Sequence, residues 1–164
     1  MSAKTDFQGL FSADISGNWR MVAPFKQLLL DLAGWVYRVL YGEITVLTDN
    51  TTLTQADSGK TFLIATDAKV ITLPATFVGW YRIINSGAAG NNIVTISPAA
   101  ADGISGTFTL AASVVVDAGV VNKDIINTKA TAKCGDNVVL VGTGVTGTTA
   151  WIVQSSTGIW AAEP

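Results

Sequence analysis

The glycine-rich segment at residues 142–147, GTGVTG, matches the GxGxxG pattern with which some proteins bind a dinucleotide. That chemistry requires a helix directly after the glycines, because the helix N-terminus holds the pyrophosphate. The residues that follow are TTAWIV, and a Trp-Ile-Val run is typical of a strand. The segment is therefore predicted to be a hairpin loop and not a nucleotide site.

A second segment, QADSGKT at residues 55–61, imitates the end of a phosphate-binding loop. Thr54 replaces the glycine that opens such a loop, and Phe62 begins a strand-like run where the loop needs a helix. Asp57 would also bring a negative charge towards the phosphates. We predict a turn at residues 57–59 that leads into a strand.

Acid–base and metal chemistry have few candidate groups in this sequence. It contains no His, a single Cys (Cys134) and two Glu (Glu43 and Glu163), while most Asp residues stand beside Gly, Asn or Ala in turn-like contexts. Neither a carboxylate pair for glycoside cleavage nor a base for a Ser nucleophile is indicated. We predict that the protein is not an enzyme, with no catalytic residues, no metal and no organic cofactor. Cys134 lies in an alternating stretch and is predicted to be a small buried hydrophobic residue.

Four aromatic residues offer a different chemistry, a stacking platform for sugars: Trp80, Tyr81, Trp151 and Trp160. Trp80 and Tyr81 are adjacent, so they point to opposite faces of any strand. Trp151 alternates with Val153, which is typical of a residue that faces a core. Burial in the core or in a subunit interface is therefore favoured over a sugar site, which remains the alternative.

The composition indicates a folded protein with little exposed charge. Apolar residues make up 49% of the 164 residues and charged residues 13%, with a net charge of −2 and a pI of about 4.8. This balance excludes a disordered chain and gives no basic surface for nucleic acid. Residues 1–7 lack the apolar centre of a secretory signal. Charges interrupt the apolar run at residues 22–40, so a membrane span is not predicted.

The chain is predicted to divide at Gly42. Residues 1–42 form an N-terminal arm followed by a helix at about 25–41, in which apolar residues recur every three or four positions after Pro24. Residues 43–164 contain many short runs rich in Val, Ile and Thr, separated by turn residues at intervals near ten. We expect a mainly β body, an antiparallel β-sandwich with jelly-roll-like character.

The order of motifs in the β half resembles a module known from virion proteins of tailed bacteriophages. The motifs are ADSGKTF (56–62), ITLP (71–74), GWY (79–81), IVTISP (93–98), DGI (102–104), Gly135 with VVLV (138–141), WIV (151–153) and GIW (158–160). The resemblance covers residues 57–160 and implies a structural, non-enzymatic virion component, usually trimeric. Such modules occur in tail fibres and in proteins attached to the head.

Only about forty residues precede the β body, too few for a fibre shaft, so we expect a decoration (cement) protein that is made in the host cytoplasm and stabilises the phage head. Its expected partners are the major capsid protein, at the outer capsid surface of the virion, and itself, as a homotrimer. The alternative is a short head or tail fibre subunit that binds host-surface glycans. The expected capsid contacts are Phe7, Phe11 and Trp19. The expected oligomer interface consists of Leu28, Leu29, Leu32, Val36 and Val39.

Overall fold

The computed structural model shows two compact units, Met1–Gly42 and Glu43–Pro164. The residues that it describes are 11–13, 19–21, 26–33, 36, 42–88, 92–109 and 114–163. In this part of the chain no helix has the length and apolar character that a membrane span requires.

The first unit contains a short hairpin and a helix. Strand β1 (Phe11–Ala13) pairs antiparallel with β2 (Trp19–Met21), and Phe11 lies opposite Met21. Residues 26–33 and 36 are helical and are called α1. Residues 25, 34–35 and 37–41 of the predicted helix lie outside the described residues.

The second unit consists of two β-sheets. The seven-stranded sheet has the order β10-β9-β13-β12-β7-β5-β3 and the five-stranded sheet the order β14-β11-β8-β6-β4. The strands of the larger sheet are β3 (Glu43–Leu47), β5 (Lys60–Ile64), β7 (Val78–Asn85), β9 (Ile104–Thr109), β10 (Val114–Asp117), β12 (Asn137–Thr143) and β13 (Trp151–Thr157). The strands of the smaller sheet are β4 (Thr51–Thr52), β6 (Lys69–Thr72), β8 (Val94–Ser97), β11 (Ile125–Asn127) and β14 (Ala161–Ala162).

The first six strands of this unit alternate between the two sheets. Within the larger sheet β3, β5 and β7 are parallel neighbours, and within the smaller sheet β4, β6 and β8 are parallel neighbours. The chain therefore coils. After each strand it crosses to the other sheet, and the next strand that it adds to the first sheet runs in the same direction as the previous one. Strands β12 and β13 form an antiparallel hairpin in the middle of the larger sheet, where β12 pairs with β7 and β13 pairs parallel with β9.

The predicted mainly β class is confirmed, but antiparallel character is not, because both sheets are mixed. Turn residues between short strands show where a strand ends, but they do not show which strand it pairs with. Parallel pairing usually needs a helical crossover. Here the crossover is a strand of the other sheet, which the sequence did not reveal.

One hydrophobic core takes side chains from both sheets. Phe62, Ile83 and Leu140 of the larger sheet belong to the same buried cluster as Ile71 and Ile96 of the smaller one. Alternation along the strands places every second side chain in this cluster. An aromatic group also lies there: the ring centroids of Tyr81 and Trp151 are 5.5 Å apart, and those of Phe77 and Trp151 are 5.7 Å apart.

Candidate functional site

The two nucleotide-like segments lie mainly in turns, as predicted, although Gly142 and Thr143 still belong to β12. Residues 144–150 link β12 to β13 as the loop of an antiparallel hairpin, and no helix follows the glycines. Residues Gln55–Asp57 form a short 3-10 turn that leads through Gly59 into β5. Neither segment therefore presents a helix N-terminus to a phosphate.

The Asp57 carboxylate is hydrogen-bonded to neighbouring residues of its own turn. Its carboxylate accepts hydrogen bonds from the Thr54 amide (2.9 Å), the Thr54 hydroxyl (2.7 Å) and the Lys60 ammonium (2.9 Å). Burial acts to raise the pKa of Asp57, but the bonds from Lys60 and Thr54 outweigh it, so this pKa lies below its usual value. Lys60, the basic residue of the phosphate-loop imitation, is thus held in an ion pair.

The other candidate groups for acid–base chemistry do not converge. Glu43 lies 3.8 Å from the Lys60 ammonium, whereas Glu163 lies 3.9 Å from that of Lys123. Within the described ranges no three metal-binding side chains come together. The prediction that Cys134 is buried is wrong: it is exposed, because residues 128–136 form turns after β11 instead of an alternating strand.

Three of the four candidate aromatic residues are in the core. Tyr81, Trp151 and Trp160 are fully buried. The Tyr81 hydroxyl donates a 2.6 Å hydrogen bond to the Thr54 carbonyl, and burial, together with the charge of Asp57, raises the pKa of Tyr81 above its usual value. Trp80 differs from them, because it lies on the outer face of β7 and is 39% exposed.

Trp80 borders an open depression of about 710 Å³ on the outer face of the seven-stranded sheet. The depression, called the Trp80 groove here, crosses β7, β12 and β13. It is lined by Val78, Gly79, Trp80, Arg82, Val139, Val141, Gln154 and Ser155. Its volume lies within the range of small-molecule sites, about 300 to 1,000 Å³.

The turn before β5 fixes the backbone of Trp80. The Gly59 amide donates to the Trp80 carbonyl at 2.9 Å, and the Trp80 amide donates to the Ser58 hydroxyl at 3.2 Å. Gly59 has φ +86°, a conformation that favours glycine. The turn that resembles a phosphate loop therefore serves to position an exposed aromatic residue.

A β-bulge places two polar residues side by side at the opposite rim of the groove. Val139 pairs with Ser155 and Leu140 with Val153, so Gln154 is the extra residue in β13. In a regular strand Gln154 and Ser155 would face opposite sides, whereas here both are exposed and line the groove. Sequence reasoning missed this pair, since nothing in the run VQSST signals a bulge.

Arg82 is the charged residue of the groove lining. It lies two positions after Trp80 in β7 and therefore on the same face of the sheet. Within the part of the chain that the structure describes, its guanidinium has neither a hydrogen bond nor an ion pair. Sequence reasoning missed Arg82 as well, although the alternation in WYR places it beside Trp80.

The predicted oligomer residues are exposed wherever the structure describes them. In α1 the exposed side chains include Leu28 (60%), Leu29, Leu32 (51%) and Val36. Val39 lies outside the described residues, as does the predicted capsid contact Phe7. The other two predicted contacts, Phe11 and Trp19, begin β1 and β2, but their side chains are not described.

Comparison with known proteins adds no relative. The chain matches no protein-family model and no curated protein.

Proposed function

We propose that the protein is a structural component of a tailed-phage virion, a decoration protein that binds the outer capsid and stabilises the head. A protein that binds the assembled capsid but not its free subunits stabilises the capsid by mass action. The motif order of the β half supports this assignment.

The exposed leucines of α1 are the structural observation that supports the oligomeric part of the proposal. Leu28, Leu29 and Leu32, with Val36 one turn further on, are spaced for one face of the helix, and all are exposed. A soluble monomer rarely keeps such an apolar surface in contact with water. We assign this face to contact with further copies of the chain, in a homotrimer.

We assign a different role to each of the two units. Residues 1–23, with Phe7, Phe11 and Trp19, provide the capsid contact, because aromatic residues contribute most to the stability of protein interfaces. Residues 43–164 form the exposed body, with the two sheets packed as a β-sandwich around the common core. Acidic composition suits the outer capsid surface, since a DNA-facing surface would gain from basic residues.

Copy number in purified virions tests the proposal. The protein is quantified by mass spectrometry against the major capsid protein in particles of the phage that encodes it. A decoration protein is present in hundreds of copies, because it follows the capsid lattice. Absence from washed virions would contradict any structural role in the particle.

One observation favours a second function, that of a short head or tail fibre subunit that binds host-surface glycans. Trp80 is exposed, next to hydrogen-bonding side chains, which is typical of a sugar-binding surface. Fibre subunits occupy vertices or the tail, so about a dozen copies or fewer per virion would indicate this alternative.

A further inference from the structure

We propose that the Trp80 groove binds an acidic saccharide, with Trp80 as the stacking surface for the sugar ring and Arg82 as the partner of its carboxylate. This inference concerns the body of the protein and does not depend on whether the chain belongs to a phage head or to a fibre. It rests on four side chains that the fold brings together on one face of the seven-stranded sheet.

Trp80 provides an exposed aromatic side chain on a backbone that is held in place. Both polar atoms of its backbone are hydrogen-bonded to residues 58–59, at 2.9 and 3.2 Å, so its position on the sheet is set by the turn and not by a ligand. The face of an indole ring carries negative electrostatic potential. The C–H groups on one side of a pyranose are weakly positive and apolar, so they pack well on such a face.

The positive charge of Arg82 favours a negatively charged ligand. Its guanidinium is exposed and has no partner in the described part of the chain, and it is the charged group of the lining. Side chains two residues apart on one strand are about 7 Å apart. That spacing matches a sugar whose ring lies on Trp80 and whose carboxylate reaches Arg82. A guanidinium binds a carboxylate through two parallel hydrogen bonds.

Gln154 and Ser155 supply hydrogen bonds for sugar hydroxyls. The bulge in β13 turns both side chains to the groove, and Ser155 lies opposite Val139, the partner of Arg82 on the other side of β12. An amide and a hydroxyl each donate and accept, as hydroxyl recognition requires. The groove spans three strands, about 10 Å, which is wide enough for one or two sugar units.

The lining disfavours other anionic ligands. A polyphosphate or nucleic acid would need several cations to neutralise its charges, whereas Arg82 is the one cation among the described residues that line the groove. Val78, Val141 and the indole ring instead favour a ligand with an apolar face and one negative charge. A uronic acid or a sialic acid combines these two features.

Binding is measured by isothermal titration calorimetry and saturation-transfer NMR with the full chain. The probes are trigalacturonic acid, a hyaluronan tetrasaccharide and sialyllactose, with maltotriose and lactose as neutral counterparts. A ligand contact of about 13 non-hydrogen atoms corresponds to a Kd of order 1 mM. We expect at least one acidic probe to bind in this range and at least tenfold more tightly than the neutral ones.

Variants then locate the site. Arg82→Gln and Trp80→Ala are each expected to weaken binding at least tenfold, and Gln154→Ala about threefold. Lys69→Gln removes the same charge from the other sheet and is expected to bind like the wild type. Trp80→Phe keeps a smaller aromatic face. An affinity between those of the wild type and Trp80→Ala would show that the loss in Trp80→Ala comes from lost stacking and not from misfolding. Thermal melts of all variants accompany the titrations.

Three results would overturn the proposal. The first is no binding of any acidic probe at about 10 mM. The second is binding that Arg82→Gln and Trp80→Ala leave unchanged in folded protein. The third is loss of the NMR signals of the groove on self-association, which would identify it as an interface between copies of the chain.

Discussion

The side-chain amide of Asn85 donates a 2.6 Å hydrogen bond to the amide oxygen of Asn127, and this bond joins the two sheets inside the core. Asn85 ends β7 of the larger sheet, and Asn127 ends β11 of the smaller one. The Asn127 amide donates in turn to the Asp136 carboxylate (2.8 Å) and to the Ile159 carbonyl (2.9 Å). All three polar side chains are buried, so the network replaces water with protein partners.

Replacement of Asn127 is expected to destabilise the body strongly. Asn127→Ala removes three hydrogen bonds and leaves the amide of Asn85 without its closest acceptor, which should lower the free energy of unfolding by about 3 kcal/mol. Urea denaturation measures this change. Asn137→Ala is the matched control, because that side chain makes one exposed bond to Gly135, and its cost should stay below about 1 kcal/mol. Equal costs for the two variants would show that the buried network is not a stabilising element.

Two glycines with positive φ should respond differently to a methyl group. Gly158 (φ +85°) would place a Cβ 2.1 Å from the Asp136 carboxyl carbon, whereas Gly135 (φ +98°) has open space around that position. Both alanine variants have backbone strain of about 1 kcal/mol, and only Gly158→Ala adds a clash. Calorimetric melts should show a much larger loss for Gly158→Ala. A loss in Gly135→Ala as large as that in Gly158→Ala would contradict the tight packing of Asp136.

The raised pKa of Tyr81 predicts a loss of stability in alkali. Above the ordinary tyrosine pKa of about 10, this residue ionises in the unfolded chain but keeps its proton in the folded one, so the folded state binds more protons. Stability from this group is complete below pH 10 and falls as the pH rises further. Tyr81→Phe removes the effect, at a cost of about 1 kcal/mol for the lost bond to Thr54. Melting temperatures between pH 9 and 11.5 should therefore fall more steeply for the wild type than for the variant, and parallel curves would contradict the assignment.

The helix face is expected to hold copies of the chain together. Leu32→Asp places a charge in the proposed interface, which should convert trimers into monomers in light scattering. Leu30→Asp is the matched control: Leu30 is also exposed in α1 but lies off the face formed by Leu28, Leu29 and Leu32. A wild-type protein that is a stable monomer would disprove the trimer. If both variants dissociate to the same extent, the dissociation would result from an added charge anywhere on the helix and not from loss of the proposed face.

Local features of the fold could be predicted from the sequence, and long-range ones could not. The turn around Gly59 and the loop at residues 144–150 depend on neighbouring residues, so turn chemistry identified them. The parallel pairing of β3 with β5 depends on a crossover through the other sheet, which no local pattern encodes. The Trp80 groove could be predicted only in part from the sequence. Alternation places Trp80 and Tyr81 on opposite faces of the strand, but the bulge that presents Gln154 arises from the pairing of β12 with β13.

Binding of the purified chain to phage heads that lack it tests the proposed function most directly. Heads and protein are mixed and sedimented, and the bound copies are counted. We expect saturable binding at hundreds of copies per head, a higher melting temperature of the decorated heads, and weaker binding of Trp19→Ala, which removes a proposed contact. The decoration function would be contradicted if the protein stayed in the supernatant while the heads sedimented. It would also be contradicted if the protein sedimented with isolated tails but not with heads.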